Sequence, residues 1–291
     1  MKGGGSLGRE RRQAYLLVAP AVTVLAGVAL YPILAAVWLS MHRLILVFGE
    51  RQWIGLDNYV FMMGDARFWG ALGNTAYFTF VAVTVELLLA VPLALLLNSA
   101  FPGRGMLRAS VLVPWAIPTV VSARLWAWLF NPDYGLINRM LPGEDINWLG
   151  LPGYALHAAI LVDVWKTTPF MALLVLAGLQ GISEDIYKAA RVDGASRWRS
   201  FVSITLPLLK PAILLALLFR TLDAFRVFDA IYVMTEGGPA NTTETLSIYA
   251  YKMLMRSGNF GYGSALSVAT FVCVVGLSLV YIRLLGREGR R

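Results

Sequence analysis

Cysteine and histidine are nearly missing from this chain: Cys273 stands alone, and the only histidines are His42 and His157. One cysteine excludes a disulfide framework, and Cys273 falls in an apolar run, where a thiol behaves as a small hydrophobe. The two histidines lie far apart in sequence and no H-E-x-x-H occurs, so neither a metalloprotease site nor a nucleophile–base pair is available to an intramembrane enzyme. The phosphate-cradling G-x-x-x-x-G-K is absent as well, so the chain does not hold ATP itself. Charge is also scarce, at 14% of residues against about 25% in soluble domains. What fills the chain instead is hydrocarbon: 58% of the 291 residues are hydrophobic. Several runs stay apolar for the ~20 residues needed to cross ~30 Å of bilayer core, whereas buried helices of soluble proteins rarely stay apolar all round. The composition predicts an all-α, polytopic membrane protein.

The net charge of +8 does not point to nucleic acid, because the bases cluster in short segments flanking apolar runs. That is a membrane-topology footprint, not a phosphate-binding face. Gly3, Gly5 and Gly8 formally match G-x-G-x-x-G, but no strand precedes them and an apolar run follows, so the match carries nothing. A basic tail over 1–13 leads into spans expected at about 14–41, 74–98, 109–130 (broken by Pro114 and Pro118), 154–180, 212–234 and 264–282, with a second tail over 283–291. The transmembrane domain is thus 14–282. Trp53, Tyr59 and Trp69 between the first two spans suit an interfacial belt. Counted by alternating side, fifteen bases fall with the two termini and six on the other face. The positive-inside rule then predicts six spans with both termini in the cytoplasm. No internal repeat is evident, nor matched interrupted spans of the kind found in many secondary transporters.

Between spans four and five lies the longest strongly charged stretch, 183–211. Ser183 reads as an N-cap with Glu184 and Asp185 in the first turn, where the helix dipole favours acids. Asp193-Gly194 reads as a turn, followed by a second helical run carrying Trp198, Phe201, Val202 and Thr205. The residues alone admit two readings. One is an amphipathic pair resting on anionic lipid. The other is a docking element, favoured by the small face of Ala189, Ala190 and Ala195, which permits close approach by another protein.

The string KAARVDGASRWRSFVSITLPLLKP resembles the cytoplasmic EAA loop of permease subunits in bacterial ATP-binding-cassette importers, whose pattern is E-A-A, three residues, G, and then I-x-L-P. Ala189, Ala190, Asp193, Gly194, Ala195, Ile204, Leu206 and Pro207 fall on that pattern, while Lys188 replaces its glutamate. The APAV and Tyr31-Pro32 of the first span, Trp165 to Phe170, the run FRTLDAFRVFDAIYVMTEGGP from Phe219, and Tyr262 to Ala265 resemble the carbohydrate branch, in particular maltose/trehalose-type permeases. The resemblance implies a non-enzymatic transport subunit that moves a disaccharide such as trehalose or maltose by alternating access. It implies a coupling helix at Tyr187, Lys188, Ala189, Ala190, Asp193, Gly194, Ala195 and Pro207. It implies as partners a second permease, two cytoplasmic ATPase subunits that carry ATP and Mg, and an extracellular or periplasmic sugar-binding protein. It also implies a multi-pass location in the cell (cytoplasmic) membrane, with membrane lipid as the surroundings. A permease for another small solute such as glycerol phosphate, or a self-powered transporter, is the alternative; the latter has no use for a docking loop.

Charges inside the spans cost at least ~2.5–3.5 kcal/mol each at the bilayer centre. Arg220, Asp223, Arg226 and Asp229 alternate in sign at three-residue spacing, and Asp163 and Lys166 repeat that spacing on span four. Side chains at i and i+3 meet on a helix, so these sets read either as self-neutralised structural pairs or as the wall of a wet cavity. Phe225, Phe228 and Tyr232 follow on the same span, and rings beside paired charges suit a neutral sugar better than an ion. Glu86 and Arg124 read as isolated interface charges.

Overall fold

A computed structural model describes residues 4–46, 48–141 and 146–288. The outermost ends of both expected tails, and the loop acids Glu144 and Asp145, lie outside the described residues. The fold is almost entirely helical. Helix α1 spans Gly4–Ser40, followed by a hairpin of β1 (His42–Ile45) and β2 (Glu50–Trp53), then α2 (Asp57–Gly64) and α3 (Ala66–Asn98). Next come α4 (Arg104–Ala116), α5 (Thr119–Leu129), α6 (Leu136–Met140) and α7 (Pro152–Gln180). After these, α8 (Glu184–Val192) and α9 (Arg197–Ser200) lead through a π-helical turn at Phe201–Thr205 into α10 (Leu206–Phe225) and α11 (Asp229–Thr235). The chain ends with α12 (Leu246–Tyr251), a second π-helical turn at Lys252–Arg256 and α13 (Phe260–Glu288). Five helices are long and apolar enough to cross a membrane, or six if the bent pair α4–α5 counts as one span.

The chain divides into two units. The first is Met1–Gly64 with Ala250–Ala269. Here the antiparallel hairpin pairs His42 with Trp53 and Ile45 with Glu50. Asn58 Nδ2 donates to the carbonyls of Ser40 (2.7 Å) and His42 (3.0 Å), closing the chain reversal after α1. Gly261 packs so tightly on this hairpin that a Cβ would sit 2.0 Å from the His42 carbonyl oxygen. The most apolar stretch of α1 is uncovered throughout.

The second unit, Asp65–Tyr249 with Thr270–Arg291, holds the core. Helices α3, α7 and α10 pack through small residues: Ala82, Ala90 and Ala94 on α3, Ala158, Ala159 and Ala172 on α7, and Ala216 on α10, all buried. Apolar burial gives little driving force inside a bilayer, so close backbone approach through small side chains carries the association. At Gly178 a Cβ would come within 2.4 Å of the Ala212 Cβ, so glycine sets the α7–α10 separation there.

Several expected spans change shape. The first helix starts at Gly4, although its membrane-crossing part, Arg12–Ser40, matches the expected span closely, and the second starts at Ala66, where Asp65 caps the helix by accepting from the Arg67 amide at 2.9 Å. The third, expected to be broken by Pro114 and Pro118, breaks at only one of them: α4 runs through Pro114, and α4 and α5 meet at 89° across Ile117-Pro118. Proline disfavours helical geometry in the residue before it, and Ile117 is extended (φ −74°, ψ 133°). The fifth does not begin at Ala212. Pro207 sits in the first turn of α10, where its missing N–H costs nothing, and the helix continues through Pro211. The same span breaks again after Phe225, with Phe228 off helical geometry (φ −135°, ψ −62°), before α11 begins. The expected single helix over 212–234 is therefore two. The sixth helix runs past both expected ends, from Phe260 to Glu288.

Candidate functional site

One cavity of 270 Å³ is lined by Trp115 and Thr119, which flank the break at 117–118, and by Arg226, Val227 and Phe228 of the second break. Interrupted helices inside a membrane are tolerated where the freed backbone faces protein or water, and at the first break a protein side chain meets it. Lys166 Nζ, on α7, donates to the carbonyls of Ile117 (2.6 Å) and Trp115 (3.3 Å) at the end of α4. It supplies hydrogen bonds to carbonyls that a helix terminus leaves unpaired, with a cation where the helix dipole favours one. The first break is expected from Pro114 and Pro118, whereas no proline lies between Pro211 and Pro239 to mark the second.

Beneath the cavity sits Arg220, 2% exposed. Its Nε donates to Glu86 Oε2 at 2.6 Å and its Nη2 to Glu86 Oε1 at 2.7 Å. Nη2 also reaches Asp163 Oδ2 at 3.0 Å, and Nη1 reaches Asp223 Oδ2 at 2.5 Å. The Thr167 hydroxyl lies 2.7 Å from Glu86 Oε1 and 2.6 Å from the Asp163 carbonyl oxygen. One guanidinium thus ties α3, α7 and α10 together, and the fork geometry of arginine suits this bidentate pairing. Glu86 is fully buried, so its expected role as an isolated charge is corrected: it is the principal anion of the cluster. Arg124, in contrast, is exposed on α5 and makes no ion pair among the described residues.

Asp163, Lys166, Asp223, Arg226, Asp229 and Phe228 all line the cavity. The i, i+3 pairing expected along the ladder holds only for Arg220 and Asp223. Lys166 bonds backbone carbonyls while Asp163 bonds Arg220, and Arg226 Nε donates to the Leu222 carbonyl at 3.1 Å. Phe225 and Tyr232 do not reach this wall. Phe225 is buried on α10, beside a separate apolar groove lined by Thr79, Val83 and Tyr281. Tyr232 stacks behind Phe228 at 5.1 Å, so the three rings do not share one helix face. Trp115, stacked on Phe170 at 5.5 Å, and Thr119 complete the lining. Neither stood out in the sequence; the prolines at 114 and 118 were the available signal, since they mark where the chain bends toward the cavity.

The charged loop folds as a compact corner. Ser183 Oγ accepts from the Asp185 amide at 3.3 Å, starting α8. Gly194 takes φ +74°, and the Ala195 amide donates to the Ala190 carbonyl at 2.9 Å, closing the helix end in the manner of a left-handed cap. Tyr187 Oη lies 3.1 Å from Thr205 Oγ1, which joins α8 to the helix that follows. Ile186, Ala189, Ala190, Asp193, Ala195 and Arg199 line a cleft of 500 Å³ on one side. Lys188, at the position of the pattern's glutamate, pairs with Asp185 at 2.8 Å on the exposed face. Pro207 lies within α10, away from this cleft.

Residues 86–290 match the family described as binding-protein-dependent transport system inner membrane component. The chain belongs to that family. It is a multi-pass, non-catalytic permease of an ATP-binding-cassette transport system. This permease is 46% identical over 278 residues to the trehalose/maltose transport system permease protein MalF of Thermococcus litoralis, covering 94% of each chain. It is 44% identical over 283 residues to the trehalose transport system permease protein SugA of Mycobacterium tuberculosis, covering 97% of this permease and 91% of that one. Its fold is similar to that of a chain in a bacterial ABC transporter involved in the import of the acidic polysaccharide alginate, with a TM-score of 0.82, 24% identity and coverage of 97% and 99%.

Proposed function

We propose that this permease carries a neutral disaccharide of the trehalose/maltose class into the cell, through the cavity bounded by Asp163, Lys166, Asp223, Arg226, Asp229 and Phe228. The observation that carries the reading is similarity over nearly the whole length to permeases named for trehalose and maltose. The cavity supports it independently. Cations and carboxylates alternate around a polar space flanked by Trp115 and Phe228, offering hydrogen bonds to hydroxyls and ring faces to sugar C–H groups.

In this reading both termini and the 183–211 loop face the cytoplasm, supported by the fifteen-to-six division of bases. The α8–α9 corner docks into an ATPase subunit through the face of Lys188, Ala189, Ala190 and Asp193. This chain holds neither ATP nor Mg; two ATPase subunits supply both, a second permease completes the pathway, and an external binding protein delivers the sugar. Closure of the ATPase pair pulls on the corner, and the tie from Tyr187 to Thr205 passes the motion to α10, which carries Arg220 and Asp223. Uptake of labelled trehalose by the assembled transporter, challenged with maltose, sucrose and glycerol phosphate, tests the substrate. Competition by disaccharides is expected; competition by glycerol phosphate alone overturns the assignment.

A further inference from the structure

A second cavity at the α8–α9 corner, of 1060 Å³, shares only Ala195 with the 500 Å³ cleft. Its floor is apolar, built by Val91, Pro92 and Leu95 of α3 together with Phe201. Its rim carries Arg191, Arg197 and Trp198, and no acidic residue lines it. Neither arginine side chain makes a hydrogen bond or ion pair among the described residues, whereas nearby Arg108 is committed to the Leu97 carbonyl at 2.8 Å. We infer that this groove is a binding site for one anionic phospholipid, with its phosphate on Arg191 and Arg197 and an acyl chain along Val91, Leu95 and Phe201.

Depth argues for a lipid. Val91 lies about 10 Å inside the end of α3, at ~1.5 Å per residue, so the floor of the groove belongs to a membrane-crossing helix. A water-soluble subunit would have to push polar surface into that layer, at the cost of desolvating it. Hydrocarbon fills the floor without that cost. Charge argues for an anionic headgroup. Two arginine forks bind phosphate oxygens with paired hydrogen bonds, and basic pockets at the ends of membrane helices are known to select anionic lipids. Trp198, 73% exposed beside Phe201, has the amphipathic ring favoured at headgroup level. The site rests on the reading that this end of α3 meets the cytoplasmic leaflet, and it gives the α8–α9 corner two faces: one for the ATPase, one for the bilayer.

The test uses the complex with its partner subunits, reconstituted in nanodiscs of phosphatidylcholine mixed with phosphatidylglycerol. Retained lipid is weighed by native mass spectrometry after release. Selective retention of phosphatidylglycerol is expected. The double variant Arg191→Ala/Arg197→Ala should lose about 30-fold in that retention, about fivefold for each arginine. Leu95→Trp, which fills the floor and leaves both arginines in place, should also lose it. Equal retention by wild type and double variant, or equal retention of phosphatidylcholine, overturns the site. A photo-crosslinker at position 95 that captures a partner subunit and no lipid overturns it as well. ATPase subunits are scored in the same spectra. Their loss with lipid retained counts against the docking reading alone, and loss of lipid selectivity with the subunits retained counts against the lipid site alone.

Discussion

The charges beside the cavity and the charges of the α8–α9 corner are satisfied in opposite ways. Arg220 is buried and spends its donors on Glu86, Asp163 and Asp223, side chains from three different helices. At the corner, Lys188 finds only Asp185 one turn back on its own helix, and both remain largely exposed. A buried cation must be paired internally, because water is not there to replace a lost partner. An exposed pair is worth little to stability, so its residues stay free to serve a surface. The first region therefore holds the helices together, and the second presents chemistry to something else.

That contrast predicts a graded series of effects. The largest belongs to Arg220→Ala, which strands Glu86 in a dry interior. Breaking one side of such a pair costs about 3–5 kcal/mol, and a matching fall in thermal stability and in membrane yield is expected. The double variant Glu86→Gln/Arg220→Met should recover much of that stability; if it is no better than Arg220→Ala alone, the pair is not what holds the helices. Next comes Asp223→Ala. Asp223 contacts Arg220 from the exposed edge and lines the cavity. Losing a hydrogen bond to a charged group, worth about 1.5–3 kcal/mol, should cut uptake by about 10- to 100-fold while assembly persists. Unchanged transport would remove Asp223 from the path.

Gly194→Val ranks third. The backbone at φ +74° admits glycine readily, and a β-branched residue there is strained by about 1–2 kcal/mol. A Cβ would meet no atom within 4 Å, so the strain stays local to the corner. The expected result is reduced co-purification of the ATPase subunits from a permease that is otherwise stable; undiminished co-purification would count against the corner as the docking element. The smallest effect is Lys188→Glu, which places a glutamate beside Asp185. Stability should change by less than about 0.5 kcal/mol, since the pair is solvated. Any larger change in stability, measured by thermal unfolding, would mean that Lys188 does more for the fold than its exposure allows.

The corner was largely legible in the amino-acid order. Ser183 as a cap, Asp193-Gly194 as a turn and the pattern through Pro207 are local signals, and each depends on residues a few positions away. The cavity was legible only in part. Asp163, Lys166, Asp223, Arg226, Asp229 and Phe228 stood out because polar groups are rare in apolar spans, and the structure brings them to one place. Apart from the Arg220–Asp223 pair, their partners were not legible. Three-residue spacing pointed to pairs along each helix, but Asp163 turns to Arg220 on α10, and Lys166 turns to carbonyls of α4. Glu86, isolated in the amino-acid order, is central for the same reason.

Apolar run length and the distribution of bases were enough to establish a multi-spanning helical membrane protein. These are properties of the chain against its solvent: hydrocarbon demands long apolar helices whatever their neighbours. The tertiary structure decided where two of those helices break and which charges meet. The Ile117-Pro118 bend exposes carbonyls whose cost depends on whether a cation such as Lys166 comes within reach. The Arg220 cluster exists because the small residues of α3, α7 and α10 let the helices approach closely enough for one guanidinium to touch carboxylates on all three. The contacts of Arg220 with Asp163 and Glu86 join residues 57 and 134 positions apart, and no local pattern encodes them. They arise only when packing brings the helices together and the low dielectric leaves each buried charge no alternative partner.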